Sequence, residues 1–348
     1  MSGSSGQLQG LNGIRALAVM AVVWHHAHPG WTWLPASHNG FLGVDAFFVL
    51  SGFLITTLML REQRSTGHIS LKNFYIRRSL RIFPLYYALL ALLTVYFVLS
   101  RDSSQKAAFL SELPYHLTYT SNWVELESLM AITWSLSTEE QFYLIWPPVL
   151  MLLGLWSLVP LLAFLAVNVA INFGFLDAWL VAAGIPYEDH NILQSTFTPI
   201  LLGVLLAFAL ERDAIRQRAA AWTSPAVLWL LVICLCLVLN IPGDVRGWPR
   251  FGVHVLTAAL LAGIVLSPRH GLTRALEWRP LAYLGVVSYG IYLLHKPALD
   301  VARRLLTRLD VQQPEALFVF GMALSVLFAA ISFRFFEAPL LAMKDRFR

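Results

Sequence analysis

The chain has 348 residues, of which 57% are hydrophobic and 13% are charged. Soluble domains carry about 25% charged and about 45–50% apolar residues, and they leave much of their chain facing water. This composition therefore excludes a compact soluble enzyme and a disordered or fibrous protein. The net charge of +5 belongs to a very apolar chain, so its lysines and arginines indicate topology first, not nucleic-acid binding. We predict an all-α fold, a polytopic bundle of transmembrane helices.

Ten apolar segments are candidates for membrane spans, since a membrane helix needs about 20 mostly apolar residues. They lie at approximately 11–28, 41–60, 82–100, 136–156, 158–175, 196–210, 225–240, 251–267, 281–298 and 315–336. With the N-terminus in the cytoplasm, the loops on that side carry more lysines and arginines than the outer loops, which predicts that both termini are cytoplasmic. We expect a flexible lead at 1–10, the membrane domain at 11–340 and a basic cytoplasmic tail at 341–348.

The first predicted helix contains two ionisable side chains, Arg15 and His26, that lipid would penalise. They are eleven positions apart, so a helix places them within about 20° of one face and about 16 Å apart along its axis. This face would offer an anion-binding group near the cytoplasm and a proton-transfer group near the outer side. His25 is turned about 100° away and is the weaker candidate. The structural alternative is that Arg15 reaches the interface and His26 ends a helix.

The second predicted helix contains Asp45, about one turn from its outer end and near the depth expected for His26. A carboxylate at that depth needs a cationic or hydrogen-bonding partner. It could orient the imidazole of His26 and stabilise its cationic form, as carboxylate–histidine pairs do in acyl-transfer enzymes. Pairing with another helix is the alternative.

Three arginines, Arg77, Arg78 and Arg81, follow the second predicted span. Their spacings of three and four residues place pairs of them on one helix face. Guanidinium groups bind phosphate bidentately, so the cluster predicts a phosphate clamp at the cytoplasmic surface. Anchoring of the membrane topology is the structural alternative.

Two later segments place polar residues at the predicted outer boundary. Ser135 and Glu139 are four residues apart and share a helix face, and Tyr143 follows one turn later. An alternative is that Ser135 caps the helix with Glu139 in its first turn. Tyr292 and His295 are three residues apart near the end of the ninth predicted span, where an interfacial aromatic belt is the structural alternative.

Five motifs occur in a fixed order along the chain. They are Arg15-x10-His26, GVDAFFVLSGF, RRSLR followed by IFP, WSLSTEEQFY and SYGIYLLHKP. As a set they resemble the acyltransferase-3 family of integral membrane O-acyltransferases. The resemblance implies transfer of an acyl group, usually acetyl, from cytoplasmic acyl-CoA to a hydroxyl of a glycan or other acceptor beyond a bacterial-type plasma membrane.

The resemblance also implies roles for the residues of these motifs. His26 is the catalytic base or acyl relay, with Arg15 as its partner. Independently of the resemblance, Asp45 and Glu139 are expected in the outer half of the reaction centre, because both lie about as deep as His26 and a carboxylate at that depth needs a partner. Acetyl-CoA is expected at Arg77, Arg78 and Arg81, with a contribution from Arg15, and no metal is expected. The residues expected to contact substrate are Ser135, Tyr143, Tyr292 and His295.

Two further expectations concern the part of the chain that binds the acceptor and the alternative class of function. The segments 101–133 and 176–195 are the longest outside and could form an acceptor platform with Tyr115, His116, Tyr119, Trp123, Tyr187 and His190. The alternative function is a transporter or flippase that uses its buried charges as a relay. The sequence lacks the Gly/Pro-interrupted pairs in two repeated halves that would favour that alternative.

Overall fold

The computed structural model describes residues 8–27, 39–100, 103–184, 197–241 and 246–344, and within these ranges the chain is helical without strands. The α-helices are, in chain order, α1 (Leu11–Ala27), α2 (Gly43–Thr66), α3 (Leu71–Leu99), α4 (Ser103–Leu117), α5 (Trp134–Leu153), α6 (Leu158–Asn172), α7 (Asp177–Ala182), α8 (Phe197–Leu210), α9 (Asp213–Trp222), α10 (Pro225–Leu239), α11 (Trp248–Leu266), α12 (Gly271–Leu276), α13 (Arg279–Val286), α14 (Ser288–Arg308), α15 (Pro314–Ser332) and α16 (Ala338–Ala342). The all-α prediction is confirmed.

Several helix ends follow local signals in the sequence. The hydroxyl of Ser70 accepts the backbone N–H of Asn73 at 3.4 Å and caps α3. Ser224 caps α10 in the same way by accepting the N–H of Val227. Helix α5 ends at Gly154, whose φ of +52° is a conformation that glycine adopts without strain.

Fewer helices meet the length and hydropathy of a membrane span than the sequence predicts. Within the described residues, five helical stretches do so: Gly40–Thr66, Leu71–Leu99, Ala131–Asn172, Trp248–Leu266 and Pro314–Ala342. The bent pair formed by α9 and α10 would make six. The ten predicted spans and their orientation are therefore not confirmed.

The difference has local causes. Within the described residues, α1 has 17 residues and α8 has 14, whereas a span needs about 20. Helix α14 is long but carries charges at Lys296, Asp300, Arg303, Arg304 and Arg308. The fourth and fifth predicted spans fall within one stretch of 42 residues, about twice the number that one span needs.

Large apolar side chains are exposed on the long helices. Leu92 on α3 and Leu144, Ile145 and Leu152 on α5 are each more than half exposed. Contiguous exposed apolar surface of this kind is rare on soluble monomers. It fits helices whose outer faces contact lipid.

The chain divides into two compact units. The first contains Met1–Leu60, Thr198–Ser288 and Gln313–Phe318, and the second contains Arg61–Phe197, Tyr289–Gln312 and Val319–Arg348. In the first unit α1 packs along α13, and α10 packs along α11. In the second unit α3 packs against α4, α16 and the π-turn Phe333–Glu337.

Two glycines in the first unit let α2 and α8 approach backbone to backbone. A Cβ on Gly52 would collide with the carbonyl oxygen of Ile200, and a Cβ on Gly203 would collide with that of Val49. Small residues at such crossings are typical of helix pairs in membranes. The reciprocal contact fixes the position of the short helix α8 along α2.

Candidate active site

His26 lies near the C-terminal end of α1, and its Nδ1 is 2.9 Å from the carbonyl oxygen of Val22. A carbonyl oxygen only accepts hydrogen bonds, so Nδ1 carries the proton of the neutral ring and Nε2 carries the lone pair. Nε2 is therefore the nitrogen suited to accept a proton from a substrate. The neighbouring His25 ring packs edge-on against Phe41, with 5.4 Å between ring centroids.

Arg15 and His26 both belong to the continuous helix α1. The helical phase used in the sequence argument therefore applies, with about 16 Å between the two residues along one face. The Nη1 of Arg15 is 3.4 Å from Oδ1 of Asn12, one turn earlier. The guanidinium is thus positioned at the N-terminal end of the helix that carries the imidazole at its C-terminal end.

Asp45 is buried, and its carboxylate faces α11. Oδ2 accepts hydrogen bonds from Nε of Arg250 at 3.1 Å and from Nε2 of His254 at 2.8 Å, and Oδ1 accepts from Nη2 of Arg250 at 3.3 Å. The guanidinium therefore forms a bidentate salt bridge with the carboxylate, which neutralises the charge of the carboxylate. Nδ1 of His254 has no hydrogen-bond partner in the described part of the chain, so protonating it would bury an unpaired donor. A neutral His254 that donates from Nε2 fits this site.

The structure gives Asp45 different partners from the His26 that the sequence suggested. Gly43 packs against α1, and Asp45, two residues later, is turned about 200° around α2 and faces α11 instead. Sequence reasoning missed Arg250, which it counted as a charge of an outer loop, and His254. Their spacing of four residues at the start of an apolar helix was the available signal.

Arg77 and Arg78 lie in the first turns of α3, in the second unit. Nη2 of Arg77 is 3.5 Å from Oε2 of Glu62. The guanidinium of Arg78 lies 4.8 Å from the centroid of the Tyr143 ring, a cation–π contact. Tyr143, which the sequence predicted to contact substrate, is buried and packs its ring against the guanidinium of Arg78.

Arg81 and Lys344 complete what we call the cation cluster, namely Arg77, Arg78, Arg81 and Lys344. Arg81 interacts electrostatically with the carboxylates of Glu139 and Glu337. Burial and, to a smaller extent, repulsion by the three arginines together lower the pKa of Lys344 to about 7. The sequence placed Lys344 in a basic tail, of which residues 345–348 lie outside the described ranges. Its membership of the cluster could not be inferred from its position in the chain.

Ser135 and Tyr292 come together in the second unit. The Ser135 Oγ and the Tyr292 hydroxyl oxygen are 2.6 Å apart, and they lie 3.2 Å and 2.8 Å from the carbonyl oxygen of Ile132, respectively. The alternative that Ser135 is a helix cap is wrong, because α5 begins at Trp134 and its N-cap position is Thr133. Ser135 instead points its hydroxyl at another helix.

His295 and Glu139 belong to the same surroundings. His295 is fully buried, and its Nδ1 is 2.5 Å from the carbonyl oxygen of Tyr292, which leaves the lone pair on Nε2. Glu139 interacts electrostatically with both Tyr292 and Arg81. The second unit therefore brings most of the predicted substrate residues into one neighbourhood.

The segment 101–133, expected to be an outer loop, contains the 15-residue helix α4 and a buried polar network that the sequence did not predict. His116 is fully buried, with Nε2 3.3 Å from Oε2 of Glu112 and Nδ1 3.1 Å from Oγ1 of Thr133. Burial raises the pKa of Glu112, but hydrogen bonds from His116, Ser128 and the backbone N–H of Glu127 outweigh burial and hold that pKa below its usual range. Two of the other proposed platform residues, Tyr187 and His190, lie outside the described residues.

Comparisons with known proteins identify related sequences over most of the chain. The sequence matches the family described as Acyltransferase domain over residues 8–334. The peptidoglycan O-acetyltransferase OatA of Listeria monocytogenes is 30% identical over 356 residues, which cover 95% of this chain and 55% of OatA. A Staphylococcus aureus protein provisionally named an O-acetyltransferase is 29% identical over 361 residues, which cover 95% of this chain and 57% of that protein.

A third relative is YrhL of Bacillus subtilis, provisionally named a peptidoglycan O-acetyltransferase. It is 28% identical over 358 residues, which cover 96% of this chain and 55% of YrhL. The chain thus spans little more than half the length of these relatives. No solved structure matches it.

Proposed function

The chain belongs to the acyltransferase family, and on that premise we propose that it is a multi-pass membrane O-acyltransferase. It moves an acyl group, most simply acetyl, from acyl-CoA on the cytoplasmic side to a hydroxyl of a glycan on the outer side. The proposal keeps the predicted orientation, with both termini in the cytoplasm. The family match over residues 8–334 supports it. The observation that carries it is the His26 imidazole, whose Nδ1 is held by the carbonyl of Val22 so that Nε2 can act as a base.

His26 would act as the general base. An alcohol is a poor nucleophile at neutral pH, so Nε2 takes the hydroxyl proton while the oxygen attacks the thioester carbon. The carbon–sulfur bond then breaks, and the departing CoA thiolate takes the proton back from the imidazolium. An acyl group carried transiently on Nε2 is the second route, and it gives the same products.

The cation cluster would hold the phosphates of acyl-CoA. Arg78 and Arg81 supply guanidinium forks that match phosphate geometry, and Tyr143 keeps the guanidinium of Arg78 in place. Glu139, which interacts with Arg81 and Tyr292, would connect this donor site to Tyr292 within the second unit. Ser135, Tyr292 and His295 would contact the substrate.

Replacing Arg78 or Arg81 by alanine is expected to weaken acetyl-CoA binding by roughly tenfold or more, because each removes charge-assisted hydrogen bonds to phosphate. Lysine at either position should restore only part of the affinity, since an ammonium cannot form the bidentate fork. Equilibrium binding of acetyl-CoA to the protein in lipid nanodiscs measures both effects. An unchanged affinity for acetyl-CoA in the double alanine variant would show that these arginines do not bind the donor and would leave only their role in anchoring the membrane topology.

Lys344 is expected to make acetyl-CoA binding depend on pH. Its pKa of about 7 means that it is charged at about pH 6 and largely neutral at about pH 8 in the empty site, so affinity for the anionic ligand should fall as pH rises. The measurement is the ratio of wild-type to Lys344→Met affinity at the two pH values, which cancels the titration of CoA itself. Lys72→Met, an exposed charge near the start of α3, is the matched control and should not alter the pH dependence. A constant ratio between wild type and Lys344→Met would exclude Lys344 from the donor site.

The proposed activity is tested with purified protein, acetyl-CoA carrying a labelled acetyl group, and soluble peptidoglycan fragments. Release of CoA together with labelled glycan would support the proposed transferase activity. The His26→Ala variant is the control that is expected to be inactive. Passage of a solute across sealed vesicles with no CoA release would overturn it in favour of a transporter.

A further inference from the structure

A cleft of about 340 Å³, lined by both apolar and charged side chains, opens at the far end of α3, away from the cation cluster. Its walls come from α3, α4, α14 and the segment that contains Glu127 and Ser128. Tyr96 in this cleft follows Arg77 by nineteen residues, which is about 28 Å along α3. That separation is close to the roughly 30 Å of a bilayer's hydrocarbon core. A ligand of this cleft would therefore meet the protein on the side opposite the proposed donor phosphates.

Two arginines, Arg303 and Arg304, line the cleft. Of the two, only the side chain of Arg304 forms hydrogen bonds with other side chains among the described residues. Nε of Arg304 donates to Oδ2 of Asp300 at 2.9 Å, and its Nη2 lies 3.4 Å from the hydroxyl of Tyr96. The side chain of Arg303 is exposed and makes no hydrogen bond or ion pair with the described residues. Its guanidinium lines the cleft with its donors unused by those residues, and a guanidinium can bind a carboxylate through two parallel hydrogen bonds.

The remaining lining groups suit the hydroxyls and faces of sugars. The exposed carboxylate of Glu127 can accept hydrogen bonds from hydroxyl groups. The ring of Tyr96 is about half exposed and offers an amphipathic surface to an apolar sugar face. A ligand that carries both hydroxyl donors and a carboxylate would satisfy Glu127 and Arg303 together.

The wall that bears Glu127 is held in place by the buried network of α4. Oε1 of Glu112 accepts the backbone N–H groups of Glu127 at 2.6 Å and of Ser128 at 3.1 Å. The other carboxylate oxygen is fixed by His116 at 3.3 Å. A cleft whose wall is fixed before binding loses less conformational entropy when the ligand arrives.

We propose that this cleft is a subsite for the acceptor glycan and that Arg303 makes it selective for sugars bearing a carboxylate. That the bound glycan is the acceptor of the acyl group rests on the proposed function. Arg303 follows Tyr292 by eleven residues on α14, about 16 Å of helix and within about 20° of the same face. The cleft would thus bind a sugar distant from the reacting hydroxyl and select glycans that extend along α14.

The test is direct binding of a fluorescent tetrasaccharide made of N-acetylglucosamine and N-acetylmuramic acid to the protein in nanodiscs without acyl-CoA. The same tetrasaccharide with its carboxylates reduced to alcohols is the matched ligand. Arg303→Gln should weaken binding of the native glycan by about tenfold. Wild type should bind the reduced glycan about as weakly. Arg308→Gln, on the same helix but outside the cleft, should change affinity by less than about twofold.

Equal affinity of wild type for the two glycans, or an unchanged affinity in Arg303→Gln, would overturn the proposal. In the transfer assay, Arg303→Gln should raise the KM for the native glycan and leave kcat and the KM for acetyl-CoA unchanged; a shift in the KM for acetyl-CoA instead would also overturn it. Binding through Arg303 by a protein that transfers no acetyl group would refute the proposed function and leave the subsite standing. Acyl transfer that does not change in Arg303→Gln would support the proposed function and refute the subsite.

Discussion

Replacing His26 by alanine is expected to lower acyl transfer roughly 10²–10⁴-fold, the usual loss when a general base is removed. The reason is local: the carbonyl of Val22 fixes the proton on Nδ1, so Nε2 alone can accept the proton of the acceptor hydroxyl. Transfer of labelled acetyl from acetyl-CoA to glycan measures the rate. Expression, membrane insertion and acetyl-CoA affinity should stay near wild type, because the substitution leaves the rest of α1 intact.

His25→Ala is the matched control, because it removes the same side chain one position earlier in the same helix. His25 packs against Phe41 and the edge of the His26 ring, so its loss should cost some packing and little turnover. Equal loss of transfer in both variants, or loss in His25→Ala alone, would show that His26 is not the base.

Replacing Asp45 by alanine is expected to destabilise the fold by about 3–5 kcal/mol, the usual result of removing one partner from a buried ion pair. Arg250 and His254 would be left in a buried site without the carboxylate that accepts their hydrogen bonds. Thermal unfolding of the purified protein in detergent should show a clear fall in Tm. Unchanged Tm in this variant would mean that the three side chains do not stabilise one another.

A double variant separates the ion pair from the packing of the site. Asp45→Ala with Arg250→Met leaves no unpaired charge, so it should be less destabilised than the sum of its two single changes. Asp45→Asn tests a role in the reaction centre, because it keeps the shape and removes the charge. A fall in kcat per folded molecule with unchanged Tm in Asp45→Asn would place Asp45 in catalysis instead.

The helices were largely predictable because each is encoded within a short stretch of sequence. The first apolar segment, predicted at 11–28, is α1 (Leu11–Ala27), and the seventh, predicted at 225–240, is α10 (Pro225–Leu239). Local hydropathy and capping residues suffice for such limits. Segments with mixed signals were less predictable: α14 continues to Arg308 through charges that a hydropathy scan treats as the end of a span.

Partners between helices were not predictable in the same way. Asp45 and Arg250 are separated by 205 positions, and Ser135 and Tyr292 by 157. Which helix a side chain faces depends on the rotation of its own helix against its neighbours, and no local pattern records that rotation. The motif around Asp45 therefore indicated a carboxylate that needs a partner, but it could not identify Arg250 and His254 as the partners.

The close approach of α2 and α8 at Gly52 and Gly203 couples the response of the two helices to the thickness of the bilayer. Helix α3, with 29 residues, exceeds the roughly 30 Å of a hydrocarbon core and can tilt to accommodate it. Because the glycines bring the backbones of α2 and α8 together, neither helix can slide along the other when the lipid thickens or thins. The two helices must therefore tilt or shift as one body.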